Sequence, residues 1–479
     1  MLILTAIIRC MQIIDVTVKN HRSIRDEVCL DLARPSLKTN LPKGDATWAT
    51  SLYPATAIYG ANASGKTSVV RAIHFIRQAI SSSAAQWLSE EQVVRDPFRL
   101  DTETVNASSV YRISFVLTSH WKDDGPPPAG GVRYDYAFSL SPEGVNWERL
   151  DGYSTQRATR LLERVTKDGV TSMKVAPGLG GVFEVSSREL ALSRALRTGR
   201  RFFHQVAKDI VEGIETVGLS SNEQLRRFSI IMSYRDNNRL TLHELVAIAQ
   251  AADVGILDIK VNEEEVEPRE DLWPLVGPLI EVAIKASFKD AERGGKSDSS
   301  HSEQAKSKSL PSDVRSILTS LVFRHNSREK DGEFDLLLGD QSEGTRSWLS
   351  LVVVIIHALR AGSVALVDEL DTSLHPYLTA QVVRLFQDPD TNPKGAQLIF
   401  TTHDVSLLAP NMDLGLERGQ VWITEKDRYG ATELYSLGDF TDLNSKSNLS
   451  KQFLEGRFGG VPWLAPSLLS LVAIGEDGE

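Results

Sequence analysis

The chain has 479 residues, 53 Lys+Arg against 63 Asp+Glu for a formal net charge of −10, with 41% hydrophobic and 24% charged residues. The length predicts two to four domains, or one domain carrying a large insertion, and the composition excludes a disordered chain, a collagen and a disulfide miniprotein. The acidic balance excludes a generic nucleic-acid coat but not a local basic patch.

In chain order, MLILTAIIRC lacks a basic leader region and a small-residue cleavage site, so residues 1–10 read as a dispensable extension rather than a signal peptide. Residues 12–32 read as two strands, with Val28, Leu30 and Leu32 alternating with polar neighbours. A connection over 35–54 leads to a short apolar strand, Ala55 to Tyr59. It is followed by GANASGKT and a helix whose Val69, Ile73, Ile76 and Ile80 mark one face. Strands follow over 110–117 and 132–140, giving a β-rich first lobe over 11–150. From 151 to 312 a mainly helical insertion is expected, with helical patterning over 187–213 and 241–252. Between Arg157 and Arg201 ten Lys/Arg face four Asp/Glu, a local excess of +6. Residues 289–312, nearly free of bulky apolar groups, read as a disordered loop.

Order is expected to return at 313, opening a second lobe over 313–479. It begins with a hairpin (318–324 and 333–338), a helix over roughly 344–360 and the apolar strand SVALV. The strand AQLIFTT (396–401 and on) and a hairpin in QVWITEKDRYGATELYSL complete it. Strands alternating with helices argue for an α/β sheet interrupted by an insertion. The densest apolar stretch, 349–367, is broken by His357 and Arg360 and falls short of the ~20 residues of a membrane span. Cys10 and Cys29 are the only cysteines, and no Cys/His spacing suits zinc. An intracellular, cytoplasmic chain with free thiols is expected.

Gly60-Ala61-Asn62-Ala63-Ser64-Gly65-Lys66-Thr67 fits GxxxxGK[ST] between a strand and a helix. Backbone N–H groups at such a helix start form an anion cradle, which Gly60, Asn62, Gly65 and Ser68 would help build. Lys66 would reach the β/γ-phosphates of ATP, and Thr67 would hold Mg²⁺. Such a loop needs an acid for the metal and a group that orients water. Strand VALV ends in Asp368 and Glu369, the metal and general-base candidates, 302 positions beyond Lys66. His403, 34 positions after Glu369, ends another apolar strand and is a candidate γ-phosphate sensor.

These motifs resemble the ABC-type ATPases of the SMC-like branch. GANASGKT resembles their Walker A, ALVDE their Walker B, DTSLH (from Asp371) their D-loop and TTHD their His switch. Gln341-Ser342-Glu343-Gly344-Thr345 resembles the signature motif, in an SxGT form rather than LSGGQ. That departure favours the anti-phage defence and abortive-infection ATPases, the RloA-like and Septu-type group. Asn20-His21-Arg22-Ser23-Ile24 is similar to the group's NFRSI, with His21 for Phe, and Leu454-Glu455-Gly456-Arg457-Phe458-Gly459-Gly460-Val461-Pro462 to its LxGRYGxxP. The resemblance covers roughly 11–150 and 313–465.

The resemblance implies an ABC-type ATPase head. In a head-to-tail homodimer, or a larger homo-oligomer, Lys66 and Thr67 would face Ser342, Gly344 and Thr345 of the other protomer across ATP. It also implies a Q-loop glutamine, for which Gln78, Gln92 and Gln156 stand at eligible positions. The expected role is a switch subunit controlling a separate effector, a nuclease by expectation. The alternative is an SMC-like repair ATPase acting on DNA with a nuclease partner. The insertion lacks sustained heptads for long arms. The basic region of 157–239, with Arg194, Arg197, Arg200 and Arg201, reads either as a solvated helix face or as a docking surface for nucleic acid or a phage-protein trigger. Phe202 and Phe203 read as core. Related ATPases carry a Toprim nuclease, but in the 76 residues after His403 no acid triad for two-metal cleavage is visible.

Overall fold

The computed structural model describes residues 11–87, 93–118, 130–218, 231–232, 240–266, 316–326, 333–441 and 448–461. The expectations for residues 1–10, Gln92 and 289–312 lie outside the described residues. The chain divides into two units, one of residues 1–221 with 354–479 and one of 222–353.

The first unit begins with β1 (Met11–Lys19), β2 (Val28–Asp31), β3 (Ala55–Gly60) and helix α1 (Lys66–Ser82). There follow β4 (Ser109–Leu117), β5 (Val132–Leu140), β6 (Val145–Tyr153), β7 (Thr159–Lys167) and β8 (Val170–Val175). Helices α2 (Ala191–Thr198) and α3 (Arg201–Glu212) precede β9 (Ile214–Val217). The second unit holds α4 (Leu242–Ala252) and a three-stranded antiparallel sheet of β10 (Ile256–Val266), β11 (Ser316–Asn326) and β12 (Glu333–Leu337). The unit division falls within α5 (Glu343–Ala361). The chain continues with β13 (Val364–Val367), α6 (Pro376–Gln387), β14 (Gln397–Thr401), β15 (Val421–Lys426), β16 (Thr432–Ser436) and α7 (Leu449–Leu454).

One sheet of the first unit is antiparallel, ordered β2-β1-β4-β5-β6-β7-β8. Side chains alternate between faces along each strand, so cross-strand partners share a face. One transverse row is Val16, Ile113, Tyr136, Leu150 and Leu162, which belong to the core, ending at the partly buried Val175 packed against it. The adjacent row on the other face is Asp31, Asp15, Ser114, Asp135, Asp151 and Arg160. Ile73 and Ile76 of α1 and Phe203, Val206 and Ile210 of α3 complete the same core.

The other sheet is ordered β16-β15-β3-β14-β13-β9, parallel from β15 to β9. Its central strands are buried along their whole length, as parallel strands covered on both faces require. The fold is therefore α/β, with a P-loop sheet and a β-rich first lobe.

The boundaries differ from those expected. Residue 151 lies inside β6, and β7 and β8 extend the first sheet. Asp168 and Gly169 both take left-handed φ angles (51° and 76°), the conformation of a tight two-residue hairpin turn. The cationic side chains on β7 and β8 obscure the alternation that would mark them as strands. Helices α2 and α3 pack on α1, and β9 pairs with β13, so residues 151–217 belong to the first unit. The described part of the expected helical insertion thus holds β7 to β10 as well as α2 to α4. The hairpin β11–β12 forms as expected but falls in the second unit rather than the ATPase lobe.

Several basic residues of this region are engaged. Arg160 pairs with Asp151 and Glu163, Arg194 with Glu189, and Arg200 lies over the Phe183 ring at 5.3 Å. Arg197 and Arg201 are exposed. Phe203 is buried and Phe202 packs against the core.

Candidate nucleotide site

The strand-to-helix turn after β3 sets the site. Gly65, the residue before α1, sits at φ 113°, a conformation that L side chains rarely adopt. At Gly60 a Cβ would lie 2.5 Å from Ser64 Oγ and from the Thr424 carbonyl and hydroxyl. The loop is therefore held against β15, and Ser64 Oγ lies 2.6 Å from Thr424 Oγ1. Thr432 Oγ1 of β16 lies 3.0 Å from the Ser64 carbonyl and 2.8 Å from Ser23 Oγ, which donates to Ser68 Oγ (2.7 Å). A chain of hydroxyls thus ties the N-terminal motif and the β15–β16 hairpin to the P-loop.

Lys66 is 5% exposed. Its ammonium donates to the Gly60 (2.8 Å) and Ala61 (3.0 Å) carbonyls and lies 3.4 Å from His403 Nδ1. Burial lowers its pKa to about 8, against the opposing charges of Glu369, Asp368 and Asp371. An ammonium folded onto its own loop is poised to exchange carbonyl partners for phosphate oxygens.

Thr67 Oγ1 donates to Asp368 Oδ1 (3.2 Å), and the same oxygen accepts from Thr401 Oγ1 (2.7 Å). The Thr401 hydroxyl also accepts the Glu369 N–H at 2.7 Å. Burial raises the Asp368 pKa, with the two threonine bonds opposing it. Glu369 has φ 54°, left-handed for a residue with a Cβ, of the kind concentrated at functional sites. Its carboxylate accepts from Thr372 Oγ1 (3.1 Å). Both Asp371 carboxylate oxygens lie 3.3 Å from the His403 N–H, so Asp371 holds the His403 backbone. Four stretches of the sequence meet here because β3, β13, β14 and β15 all end on one side of a parallel sheet.

A cleft of about 800 Å³ opens over this machinery, lined by Asn62, Gly65, Lys66, Thr67, Ser68, Glu369 and His403 among others. Arg22, Arg99 and Lys426 also line its margin, with Asp96 paired to both arginines. These three, with Thr401 and Thr432, were not legible as site residues. Only the TTHD motif, whose first threonine is Thr401, carried a local signal for it.

His21, which replaces a phenylalanine in the N-terminal motif, sits in an aromatic cage. Its ring centroid is 5.8 Å from Phe75 and 5.6 Å from Tyr111, and Nδ1 is 3.0 Å from the Tyr111 hydroxyl. Burial lowers its pKa to about 3, so it is a neutral ring at pH 7 and fills an aromatic position. Asn20 organises the same loop by donating to the Thr104 and Ala107 carbonyls and accepting the Phe98 N–H.

In the second unit Ser342 precedes α5, accepts the Thr345 N–H at 3.1 Å and lies 2.8 Å from Thr345 Oγ1. The signature stretch is therefore a capped helix N-terminus, with Gly344 in its first turn. Of the glutamines, Gln78 is exposed on α1, while Gln156 pairs its amide with the backbone of Leu41. Neither lines the cleft.

A family described as "AAA domain, putative AbiEii toxin, Type IV TA system" matches residues 55–409, which open with β3 and close just past His403. The chain belongs to this family. As a member of this AAA-domain family it is an ATPase-class protein, and the matched region contains every residue of the phosphate cradle and both acids of the β13 end. No curated protein sequence matches the chain. Among solved structures, it is similar to an SMC head bound to the C-terminal winged-helix domain of ScpA. There the identity is 12%, with 88% of this chain and 97% of that one covered, and the TM-score is 0.41. The SMC head domain of Thermotoga maritima gives 12%, 89%, 98% and 0.35, and RecF with ATP 11%, 89%, 98% and 0.35, in the same order.

The donor set fits Mg²⁺. A hydroxyl and a carboxylate oxygen converge, both hard oxygen ligands, and Mg²⁺ characteristically takes one or two protein ligands with phosphate and water completing its shell. Among the described residues no group of three or more His, Cys, Asp or Glu forms a dedicated metal cage. No helix among them is long and apolar enough to cross a membrane.

Proposed function

We propose that this chain binds and hydrolyses ATP as the switch subunit of a bacterial anti-phage defence system. The observation that carries it is the Thr67–Asp368–Thr401 line, with Glu369 anchored to the same threonine and His403 beside Lys66. Gly60, Asn62, Gly65, Lys66 and Ser68 hold the phosphates. Thr67 and Asp368 hold Mg²⁺, which supplies charge neutralisation on the phosphate oxygens. Glu369 accepts the proton of a water as its oxygen bonds to the γ-phosphorus, the bond to the β,γ-bridging oxygen breaks, and ADP and phosphate result. His403, held by Asp371, senses the γ-phosphate.

Ser342, Gly344 and Thr345 act on the ATP of a second copy of the chain, since a capped helix start with a small residue presents N–H donors to an anion. ATP then clamps a head-to-tail homodimer, or a larger homo-oligomer, and hydrolysis releases it. The reading calls for a Q-loop glutamine, with Gln78, Gln92 and Gln156 at eligible positions. The family's description as a putative toxin of a toxin–antitoxin system supports a defence role, in the cytoplasm, with a separate effector, a nuclease, under control of the ATP state. A nucleic-acid or phage-protein trigger docks at the basic region 157–239. The alternative, an SMC-like repair ATPase with a nuclease partner, predicts DNA-stimulated turnover without any effect on phage.

Phosphate release and retained nucleotide test the core of this reading. Lys66→Ala loses ATP binding, whereas Glu369→Gln keeps ATP and stalls. Equal turnover in wild type and Glu369→Gln refutes it. Coexpression with the genomic neighbour, with and without phage, tests the effector.

A further inference from the structure

The segment around Gly459-Gly460 has no part in the phosphate chemistry above, yet it touches two components of the site. After α7 the chain turns at Gly456 and runs back along the β15–β16 hairpin. The Gly460 N–H donates to Glu425 Oε1 at 2.7 Å, and Tyr435 Oη donates to the Phe458 carbonyl at 2.8 Å. Gly460 sits at φ 69°, and a Cβ there would lie 2.8 Å from Ile423 Cγ2 and 3.5 Å from the Cα of Gly60, the first P-loop glycine. The left-handed φ and the 2.8 Å approach to Ile423 Cγ2 disfavour a side chain here, while the distance to Gly60 is that of ordinary packing contact.

The other end of the segment reaches the His switch. α7 packs against the turn Val405–Leu408 that follows His403 and Asp404. Phe453 lies against the Tyr59 ring with centroids 5.6 Å apart, and the Tyr59 hydroxyl donates to the Asp404 carbonyl at 3.3 Å. Phe453, Phe458 and Tyr59 are all buried. A single segment is thus braced against the start of the P-loop through Gly460 and against the His403 turn through Phe453 and Tyr59. The distance between Lys66 and His403 depends on the relative placement of those two components.

We infer that residues 453–460 form a strap that positions the His403 turn against the P-loop, with Glu425 and Tyr59 as positioning residues, so that turnover depends on the strap more than ATP binding does. The cradle for the phosphates is built by the loop's own backbone and by β15 and β16, and survives loosening of the strap. The alignment of His403 with Lys66 does not. This rests on the ATP-site reading above.

The test uses the full chain with Tyr59→Phe, Glu425→Ala and Glu425→Gln. Tyr59→Phe removes one hydroxyl without changing the core. Glu425→Gln keeps an oxygen acceptor for Gly460, and Glu425→Ala does not. Three quantities are read: kcat for phosphate release, affinity for a fluorescent ATP analogue, and amide hydrogen exchange of residues 60–67 and 402–408 without nucleotide. The strap predicts a kcat lower by roughly tenfold in Tyr59→Phe and Glu425→Ala with affinity within about twofold, faster exchange over 402–408, and recovery in Glu425→Gln. Unchanged kcat and exchange in both variants overturns it, as does a parallel loss of affinity and kcat with a lowered melting temperature. Absence of turnover in wild type would refute the ATPase reading instead, and the exchange data then decide on the strap alone.

Discussion

Thr401→Val isolates one hydroxyl that serves both acids of the site. Thr401 is fully buried, and valine matches its shape. The substitution removes the bond to Asp368 Oδ1 and leaves the Glu369 N–H without its acceptor. A bond to a charged group contributes about 1.5–3 kcal/mol, and an unsatisfied buried N–H costs about 1–3 kcal/mol. Burying the new methyl group returns about 0.8 kcal/mol. A net destabilisation of about 2–5 kcal/mol follows. If about 2 kcal/mol of that is lost from the transition state alone, kcat falls roughly 30-fold. Asp368 supplies a second readout. Its folded pKa lies above the ordinary carboxylate value, so its stabilising contribution is greatest at low pH and declines as pH rises through that folded value. Activity has the opposite sign, because the ionised form is the one that holds a cation. Removing the Thr401 bond, which favours ionisation, shifts the acid limb of the pH–kcat profile upward. The assay is steady-state phosphate release across pH, with thermal melting and nucleotide binding on the same samples, and Thr401→Ser as the restoring control. Wild-type kcat in Thr401→Val, or loss of ATP affinity matching the loss of kcat, would refute the assignment of Thr401 as the joint anchor.

Lys66, with its pKa near 8 before phosphate arrives, should take up a proton when ATP binds at about pH 8.5, because phosphate favours the charged ammonium. Calorimetry in buffers of different ionisation heat measures that uptake, and none is expected at pH 6.5. Mixing Lys66→Ala chains with Ser342→Arg chains should restore one intact site per heterodimer and recover ATPase activity that neither variant has. Heterodimers without recovery would place both halves of each site in one chain. Charge reversal of Arg197, Arg200 and Arg201 to Glu should leave basal turnover unchanged and weaken trigger binding by roughly tenfold or more in a salt-dependent manner. Binding that is unchanged across a salt titration would assign these arginines to a solvated face.

The parts of the site legible in the sequence are those whose chemistry is compressed into a few adjacent residues. Gly65, Lys66 and Thr67 must be contiguous because one turn cradles phosphate, and Asp368 and Glu369 because one strand end presents both acids. The capped start of α5 and the hairpin β15–β16 were readable for the same reason. Thr424 and Thr432 were not, because each acts through a hydroxyl brought to the P-loop from a distant strand, and an isolated Thr carries no pattern; Ser23 stood in the N-terminal motif, but nothing there gave it a contact with the P-loop. β9 is four residues long and, among the described residues, joins the sheet through β13 alone, too short for its alternation to register. The strands β7 and β8 were obscured by charge, since an outer sheet face rich in Arg and Glu resembles a solvated helix in composition.

The placement of β3 has a consequence for how the protein is made. Both its neighbours in the sheet, β14 and β15, come from residues 397 and beyond. The strand that leads into the P-loop therefore leaves the ribosome roughly 340 residues before either hydrogen-bonding partner exists. At about 5–20 residues per second that is an interval of roughly 17–70 seconds. During it ATAIYG, buried end to end in the folded chain, has unpaired edges on both sides. Nascent chains should depend on chaperone protection over this interval. A chain truncated before β14 should bind no nucleotide despite carrying an intact GANASGKT, so the phosphate site cannot be completed until β14 and β15 have been made.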